Sequence, residues 1–387
     1  MSRRRIDPAL LGVDPRVADG FFSDVYFNRT REVLLAEGLH PVVRWQVFQK
    51  HDAILCGADE TIGIMKAALG DDWERLAVWA LEDGDAIAPW ETALLVEGDL
   101  ALFAHLETIV LGVLARRTRV ATNAHRAVRA AALVTPKPVL FFAARHDLYL
   151  AQPGDGYAFH VAERRARGAA AGGVSTPAQG SWWGGTALGT IPHSLEAAFG
   201  GDVVRATLAF AEHVEPGVPR VALVDYHNDC VRTSLEVADA MLARLLETGE
   251  ERFRLVGVRL DTSETLVDRS LADAPDPEAA RGVSAPLVRN VHRALRDRAR
   301  THPEGSAARG FFEGIGIIVS GGFTPEKIEA FERERVPVTA YGVGSSLFAG
   351  GIDFTADVVG LLIDGTWRPE SKVGREYRPN PRLSRAE

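Results

Sequence analysis

Two hydrophobic rhythms divide the chain. Over residues 81–98, LEDGDAIAPWETALLVEG alternates short β-prone runs with turn signals at Asp83-Gly84 and Gly98-Asp99, a pattern that predicts a small antiparallel sheet. In the stretch that follows, ALFAHLETIVLGVLARR, the residues Leu102, Phe103, Leu106, Ile109, Val110, Val113 and Leu114 recur at helical spacing and predict one buried stripe. After about residue 138 the rhythm changes to short, nearly continuous apolar runs separated by helical stretches, as parallel strands covered by helices require. Four runs stand out: VALVD ending at Asp225, LVGVRLD ending at Asp261, GIIVSGG ending in Gly321-Gly322, and VTAYGVG ending at Gly344. Between the last two, Thr324 is a good N-cap with Pro325 at the first helical position, which completes a β-α-β unit. Residues 272–286 read as a Pro/Ala loop, and 366–387 as a polar tail wrapping the surface.

Composition narrows the class. With 387 residues, 46% hydrophobic and 25% charged, the chain is large enough for two packed cores. A formal charge of -8 offers no global attraction for nucleic acid or an anionic membrane, so an anionic ligand needs a local basic site and small-molecule work is favoured. Cys56 and Cys230 match neither a disulfide framework nor a zinc ligand set, which fits a reducing cytoplasm. Asp7, Pro8, Asp14 and Pro15 interrupt anything that could serve as a signal-peptide core after the basic start, and no apolar stretch reaches the roughly 20 residues of a membrane span.

Candidate chemistry collects at the strand ends. Two successive strands ending in glycine put bare backbone amides side by side, and in an α/β barrel such tips often cradle phosphate; Gly321, Gly322, Gly342, Gly344 and Ser345 are the candidates, with tight turns as the bland alternative. Asp225 and Asp261 would face the same mouth, where a carboxylate pair can hold Mg²⁺ or stabilise a sugar cation; either could instead cap the next helix. Arg259, two residues before Asp261, points to the same strand face and suits capture of a carboxylate or phosphate. The basic run ERRARG, containing Arg164, reads as a solvated patch on composition alone. His193 follows a proline at what reads as the first turn of a short helix. There the positive end of the helix dipole disfavours imidazolium by about 0.3–2 kcal/mol and predicts a neutral, nucleophilic ring at pH 7, though for an isolated histidine packing or capping is the commoner role. There is no GxxxxGK[ST] loop and no acidic run followed by Thr-Gly-Gly.

Eight motifs in order, SDVYFNRT, VATN, ERRARG, GTIPHS, VDYHND, VRLDTS, VSGG and YGVGSSL, resemble those of the nicotinate phosphoribosyltransferases, type II phosphoribosyltransferases related to the nicotinamide and quinolinate enzymes. The resemblance spans about residues 20–350. It implies an irregular α/β barrel (131–365) packed on an N-terminal α/β sandwich-like domain (1–130), with residues about 15–40 helical and reaching the partner's active site in a homodimer with shared sites. It also implies joining of nicotinate to phosphoribosyl pyrophosphate, with Mg²⁺, and with ATP hydrolysis coupled through a phosphohistidine at His193. Asp225 and Asp261 match the family's acidic positions, Arg259 and Arg164 its pyridine contacts, Tyr26 an aromatic that stacks on the ring from the partner, and Arg29 a phosphate contact. Three departures stand out. Val161-Ala162-Glu163 replaces a Phe-Gly pair, leaving Phe159 as a substitute stacking surface; VDYHND leaves the role of Asp229 open; and the segment between Gly173 and His193 is short, which leaves open how amide is told from acid. Lys372 and Arg375 look family-like without a role. The alternatives are a quinolinate or nicotinamide enzyme, and a non-catalytic phosphate-binding barrel that senses a nucleotide.

Overall fold

The alternating runs and the continuous runs build two separate sheets. The computed structural model describes residues 6–169 and 172–386, so the basic start at residues 1–5 lies outside the described residues. The alternating segments form a six-stranded antiparallel sheet in the order Thr366–Pro369, Thr355–Ile363, Val42–Phe48, Thr92–Asp99, Ala77–Ala80, Ser384–Arg385. The continuous runs form a six-stranded parallel sheet in the order Gly173–Val174, Val139–Phe141, Ala340–Val343, Gly316–Val319, Leu255–Leu260, Arg220–Leu223. The parallel sheet curls as a half-barrel covered by helices, the α/β barrel that the family resemblance implies.

Each sheet has its own core. Trp45, Val47, Val78, Leu94 and Val96 pack in the first, and Phe141, Val258, Leu260, Ile317, Val319 and Tyr341 in the second. The helix Glu107–Ala130 joins them: Val110 and Leu114 belong to the antiparallel core, whereas Val120, Ala121, Ala124, Ala127 and Val128 belong to the barrel core. Its length explains this, because 24 residues at about 1.5 Å each span roughly 36 Å, more than one core's width.

Strand pairing differs from the expected boundaries at the C-terminal end. Thr355–Ile363 pairs antiparallel with Val42–Phe48, Thr366–Pro369 with Thr355–Ile363, and Ser384–Arg385 with Ala77–Ala80, so residues 355–385 complete the N-terminal sheet and neither extend the barrel nor hang free. The polar composition hid this, since both edge strands are short. Arg375 is held there, stacked on Phe48 and Trp90 at 5.3 and 5.2 Å from their ring centroids. At the other end the helical stretch is shorter than expected: Pro15–Val17 is one 3₁₀ turn, Gly20 at φ +73° breaks it, and the helix proper is Val25–Ala36. This helix buries none of its own residues in the chain.

Register brings the functional ends level. Leu223 pairs with Arg259, Leu260 with Val319, and Val319 with Tyr341, so Asp225, Asp261, Ser320–Gly321 and Gly342 emerge side by side at the carboxyl edge. Val343 pairs with Phe141, which sets Phe142 beside Gly344.

Candidate functional site

The carboxyl edge of the half-barrel opens into two adjoining cavities that share Asp261. The larger, about 640 Å³, is lined by Phe142, Arg145, His146, Thr190, Arg259 and Asp261, with Ser320–Thr324, Gly342 and Gly344–Ser346 forming its floor. The smaller, about 330 Å³, is lined by His193, Asp225, Tyr226, Asn228, Asp261 and Thr262. The expected glycine tips therefore lie together in one cavity with Arg259 and Asp261, and the expected histidine and Asp225 lie next door.

Glycine is required at these tips for two different reasons. Gly321 and Gly322 have φ of +82° and +66°, a region that a Cβ makes costly. Gly344 has an ordinary φ, but a Cβ there would meet His146 Nε2 at 2.8 Å, and one on Gly342 would meet the Phe142 ring at 2.6 Å. Thr324 caps the helix Pro325–Arg333 by accepting from Lys327 N, so a helix N-terminus two residues beyond Gly322 borders the cavity.

Arg259 reaches up from its strand, where its Nη1 donates to Thr190 Oγ1 at 2.6 Å and its guanidinium lies 5.8 Å from the Phe142 centroid. Nη2 stands 3.9 Å from Asp261 Oδ2, while Ser320 Oγ donates to Asp261 Oδ1 at 2.7 Å. Burial works against the charge on Arg259, and Asp261, Asp225 and Glu196 support it. Its buried Nε has no partner.

His193 opens the six-residue helix His193–Ala198, and its Nε2 lies 3.1 and 3.2 Å from the two oxygens of Asp225. The imidazole is 46% exposed and the carboxylate only 7%. The hydrogen bond to Asp225 raises the histidine's pKa, outweighing the lowering by burial. The expectation of a depressed value is thus reversed, because a helix of six residues has a weak dipole whereas a carboxylate in contact favours the cation directly. Beneath the pair, the carboxyl of Glu196 is fully buried with both oxygens unpartnered, and burial pushes it up to about 7.

Five expected residues lie apart from these cavities. Arg164 occupies the exposed side of the last turn of Gln152–Arg167, because Glu163 is the residue that this turn buries. Tyr26 and Arg29 are exposed on Val25–Ala36, Tyr26 at 60%. Phe159 is no stacking surface, since it is fully buried against Phe141 at 5.1 Å between ring centroids. Asp229 caps the helix Cys230–Thr248, accepting from Arg232 N. Arg145, His146, Phe142, Thr190 and Glu196 went unread in the sequence. For the first two a signal existed, since VLFFAARHD is another apolar run followed by charge, the same strand-end pattern that marks Asp225 and Asp261.

Among the described residues no three His, Cys, Asp or Glu side chains converge as a metal cage. Asp225 and Asp261 are nonetheless hard oxygen donors on one cavity wall, which suits Mg²⁺ completed by substrate oxygens. Both cysteines are free and buried. Among the described residues no helix is long and apolar enough to cross a membrane.

Residues 24–118 match the family model described as the N-terminal domain of quinolinate phosphoribosyl transferase. The nicotinate phosphoribosyltransferase pncB2 of Mycobacterium tuberculosis is 27% identical over 304 residues, 78% of this chain, and the chain spans about half (55%) of that relative's length. Among solved structures, the nicotinate-nucleotide pyrophosphorylase of Pyrococcus furiosus superposes with a TM-score of 0.72 at 29% identity, covering 97% of this chain and 81% of the other. Human nicotinic acid phosphoribosyltransferase shares the fold, with a TM-score of 0.60 at 19% identity over 89% of this chain and 75% of the other.

Proposed function

We propose that the chain is a type II phosphoribosyltransferase that joins nicotinate to phosphoribosyl pyrophosphate, releasing nicotinate mononucleotide and pyrophosphate, for NAD biosynthesis, a reading that the family model, the curated relative and the shared fold support. One observation carries the reading: paired glycine tips, a carboxylate and a largely buried arginine line a single cavity large enough for a phosphorylated sugar and a pyridine ring together.

In this reading the amides at Gly321, Gly322, Gly342, Gly344 and Ser345, with the cation of Arg145, hold the donor's phosphates. As the bond from the anomeric carbon to pyrophosphate breaks, that carbon gains positive charge, and the Asp261 carboxylate stabilises it electrostatically. Arg259, held by Thr190, pairs with the pyridine carboxylate while Phe142 offers a ring face. The ring nitrogen then supplies the electron pair for the new bond. Mg²⁺ accompanying the donor would be held by Asp225 and Asp261, where it supplies charge neutralisation for the leaving group.

ATP coupling and a phosphohistidine belong to the same proposal. Asp225 contacts Nε2 of His193 and holds a proton there, which leaves the lone pair on Nδ1. Nδ1 would attack the γ-phosphorus as the bond to the ADP oxygen breaks. The exposed helix Val25–Ala36 would bring Tyr26 and Arg29 to the site of a second copy, making a homodimer with shared sites, and the enzyme would work in the cytoplasm.

A second reading, a pyridine dicarboxylate such as quinolinate as acceptor, draws support from Arg145 lining the same cavity as Arg259. The deciding experiment is product identification with phosphoribosyl pyrophosphate, Mg²⁺ and each of nicotinate, nicotinamide and quinolinate, with and without ATP. Nicotinate mononucleotide formed faster with ATP supports the proposal; turnover of quinolinate alone, indifferent to ATP and to His193→Ala, replaces it with the second reading. Binding of the donor without pyrophosphate release would mark a nucleotide sensor.

A further inference from the structure

The larger cavity is lined in part by two loops from distant parts of the chain, 142–151 and 344–349, and one guanidinium ties them together. Arg116 sits on Glu107–Ala130 where that helix passes from one hydrophobic core to the other. Its Nε and Nη2 donate to the two oxygens of Asp155 at 3.0 and 2.8 Å, a fork-to-fork pair. Its Nη1 lies 2.9 Å from Asp147 Oδ2, and its guanidinium carbon 5.5 Å from the Phe348 ring centroid.

The other end of this connection is anchored. Asp155 is buried and also accepts from Arg117 Nη1 at 2.7 Å; Arg117, itself buried, pairs with Glu60 at 2.6 Å on the helix Ala58–Leu69 of the antiparallel half. A charged chain therefore runs from Glu60 through Arg117, Asp155 and Arg116 to Asp147. Asp147 follows directly on Arg145 and His146, which line the cavity; Phe348 ends the turn Ser345–Phe348, whose Ser345 and Ser346 line it from the other side. The two loops touch, because the His146 ring fills the space that a Cβ on Gly344 would need. A change in their spacing is therefore a change in the cavity itself.

We propose that Arg116 is a positioning residue that fixes the spacing of these two loops and so preorganises Arg145, His146 and Ser345 for an organic phosphate or pyrophosphate. The name of the ligand rests on the phosphoribosyl-transfer reading; the positioning does not. Simple stabilisation is a poor account of the arm to Asp147, since that pair is partly solvated and such pairs contribute about 0–1 kcal/mol. What Arg116 supplies is direction: a planar fork on one carboxylate, a third donor on another, and a face on an aromatic ring, which no lysine reproduces.

The test uses the full-length chain carrying Arg116→Ala, Arg116→Lys or Asp147→Asn, the last leaving the Asp155 pair intact. The first readout needs no ligand: amide hydrogen exchange at His146 and Ala151 in one loop and at Leu347 and Ala349 in the other, each of which donates within its own turn. Exchange about tenfold faster in both loops is expected for Arg116→Ala and Arg116→Lys, and in the first loop alone for Asp147→Asn. The second readout is kinetic, with KM for phosphoribosyl pyrophosphate raised about tenfold while kcat and the nicotinate KM stay within about twofold. Unchanged exchange in both loops, or full recovery by lysine, overturns the proposal. A wild-type chain that releases no pyrophosphate overturns the phosphoribosyl-transfer reading instead, and the exchange result then decides the role of Arg116 by itself.

Discussion

Replacing Gly321 by alanine tests whether the glycine tips hold the donor. The residue has φ +82°, and a Cβ would stand 3.2 Å from Asp261 Oδ1 at the cavity lining. Two costs separate cleanly. The left-handed backbone alone costs about 1 kcal/mol with a side chain, which in a protein this size lowers Tm by about 1 °C. The methyl group adds a steric cost in binding: carbon and phosphate oxygen require roughly 3.3 Å or more, against about 2.9 Å for an amide hydrogen bond, so the phosphate is pushed off the neighbouring N–H groups. Losing one or two charge-assisted hydrogen bonds of about 1.5–3 kcal/mol each predicts a donor KM raised ten- to hundredfold or more, with roughly tenfold for each 1.4 kcal/mol. Gly249→Ala is the matched control, because Gly249 has φ +68° with open space around it at the far end of Cys230–Thr248. Initial rates with the donor varied at saturating nicotinate, alongside thermal melts, read both costs. Equal loss of Tm in the two variants, with only Gly321→Ala raising the donor KM, is the expected result. A donor KM within about twofold of wild type for Gly321→Ala refutes the assignment of the tips to phosphate.

Three further outcomes follow from the smaller cavity and the exposed helix. Asp225→Asn removes the main cause of the raised His193 pKa, so the ring's NMR titration midpoint falls; because a raised histidine adds stability below its unfolded pKa and loses it as pH rises through the folded one, the variant's stability deficit should shrink from acidic to alkaline pH, and an unmoved midpoint would contradict the pairing. Glu196 is pushed by burial from 4.5 to about 7, so the folded chain binds its proton more tightly and loses stability from this group as pH rises between those values; urea melts should show Glu196→Gln gaining on wild type from about pH 5 to about pH 8, and parallel pH profiles would rule that out. Mixing Tyr26→Ala with His193→Ala chains should restore activity that neither shows alone if sites are shared, whereas no recovery in a verified mixed dimer would argue for self-contained sites.

Fold class was legible because burial writes itself into period: alternating positions at 81–98 and continuous apolar runs at 221–224, 255–260, 316–319 and 340–343 became antiparallel and parallel strands respectively. Asp225, Asp261 and the glycine tips were legible for the related reason that parallel strands all end at one edge. Three things escaped. Residues 355–385 pair with strands some 300 positions earlier, a contact that no local pattern reveals. Arg164 was a pyridine contact only by resemblance, and which side of a helix faces the cavity depends on what packs beneath it, here Glu163. The sign of the His193 shift depended on Asp225, a neighbour 32 residues away in sequence and 3.1 Å away in space.

Asp261 is the residue through which the two cavities must communicate, since it lines both. Its Oδ1 accepts from Ser320 on the glycine tip and its Oδ2 faces Arg259, so its position is set from the side of the larger cavity. Its charge, however, is also felt at His193, where it helps raise the imidazole's pKa together with Asp225 and Glu196. A phosphoryl group on His193 would replace a cation with an anion in front of these carboxylates, and their mutual repulsion would then favour whatever brings positive charge to the mouth. A donor arriving with its divalent cation does so. Linkage makes the effect reciprocal: to the extent that a modified His193 tightens donor binding, bound donor must stabilise the modified histidine by the same factor. In the proposed cycle, loss of pyrophosphate and loss of the phosphoryl group therefore belong to one electrostatic account, with Asp261 as the carboxylate common to both.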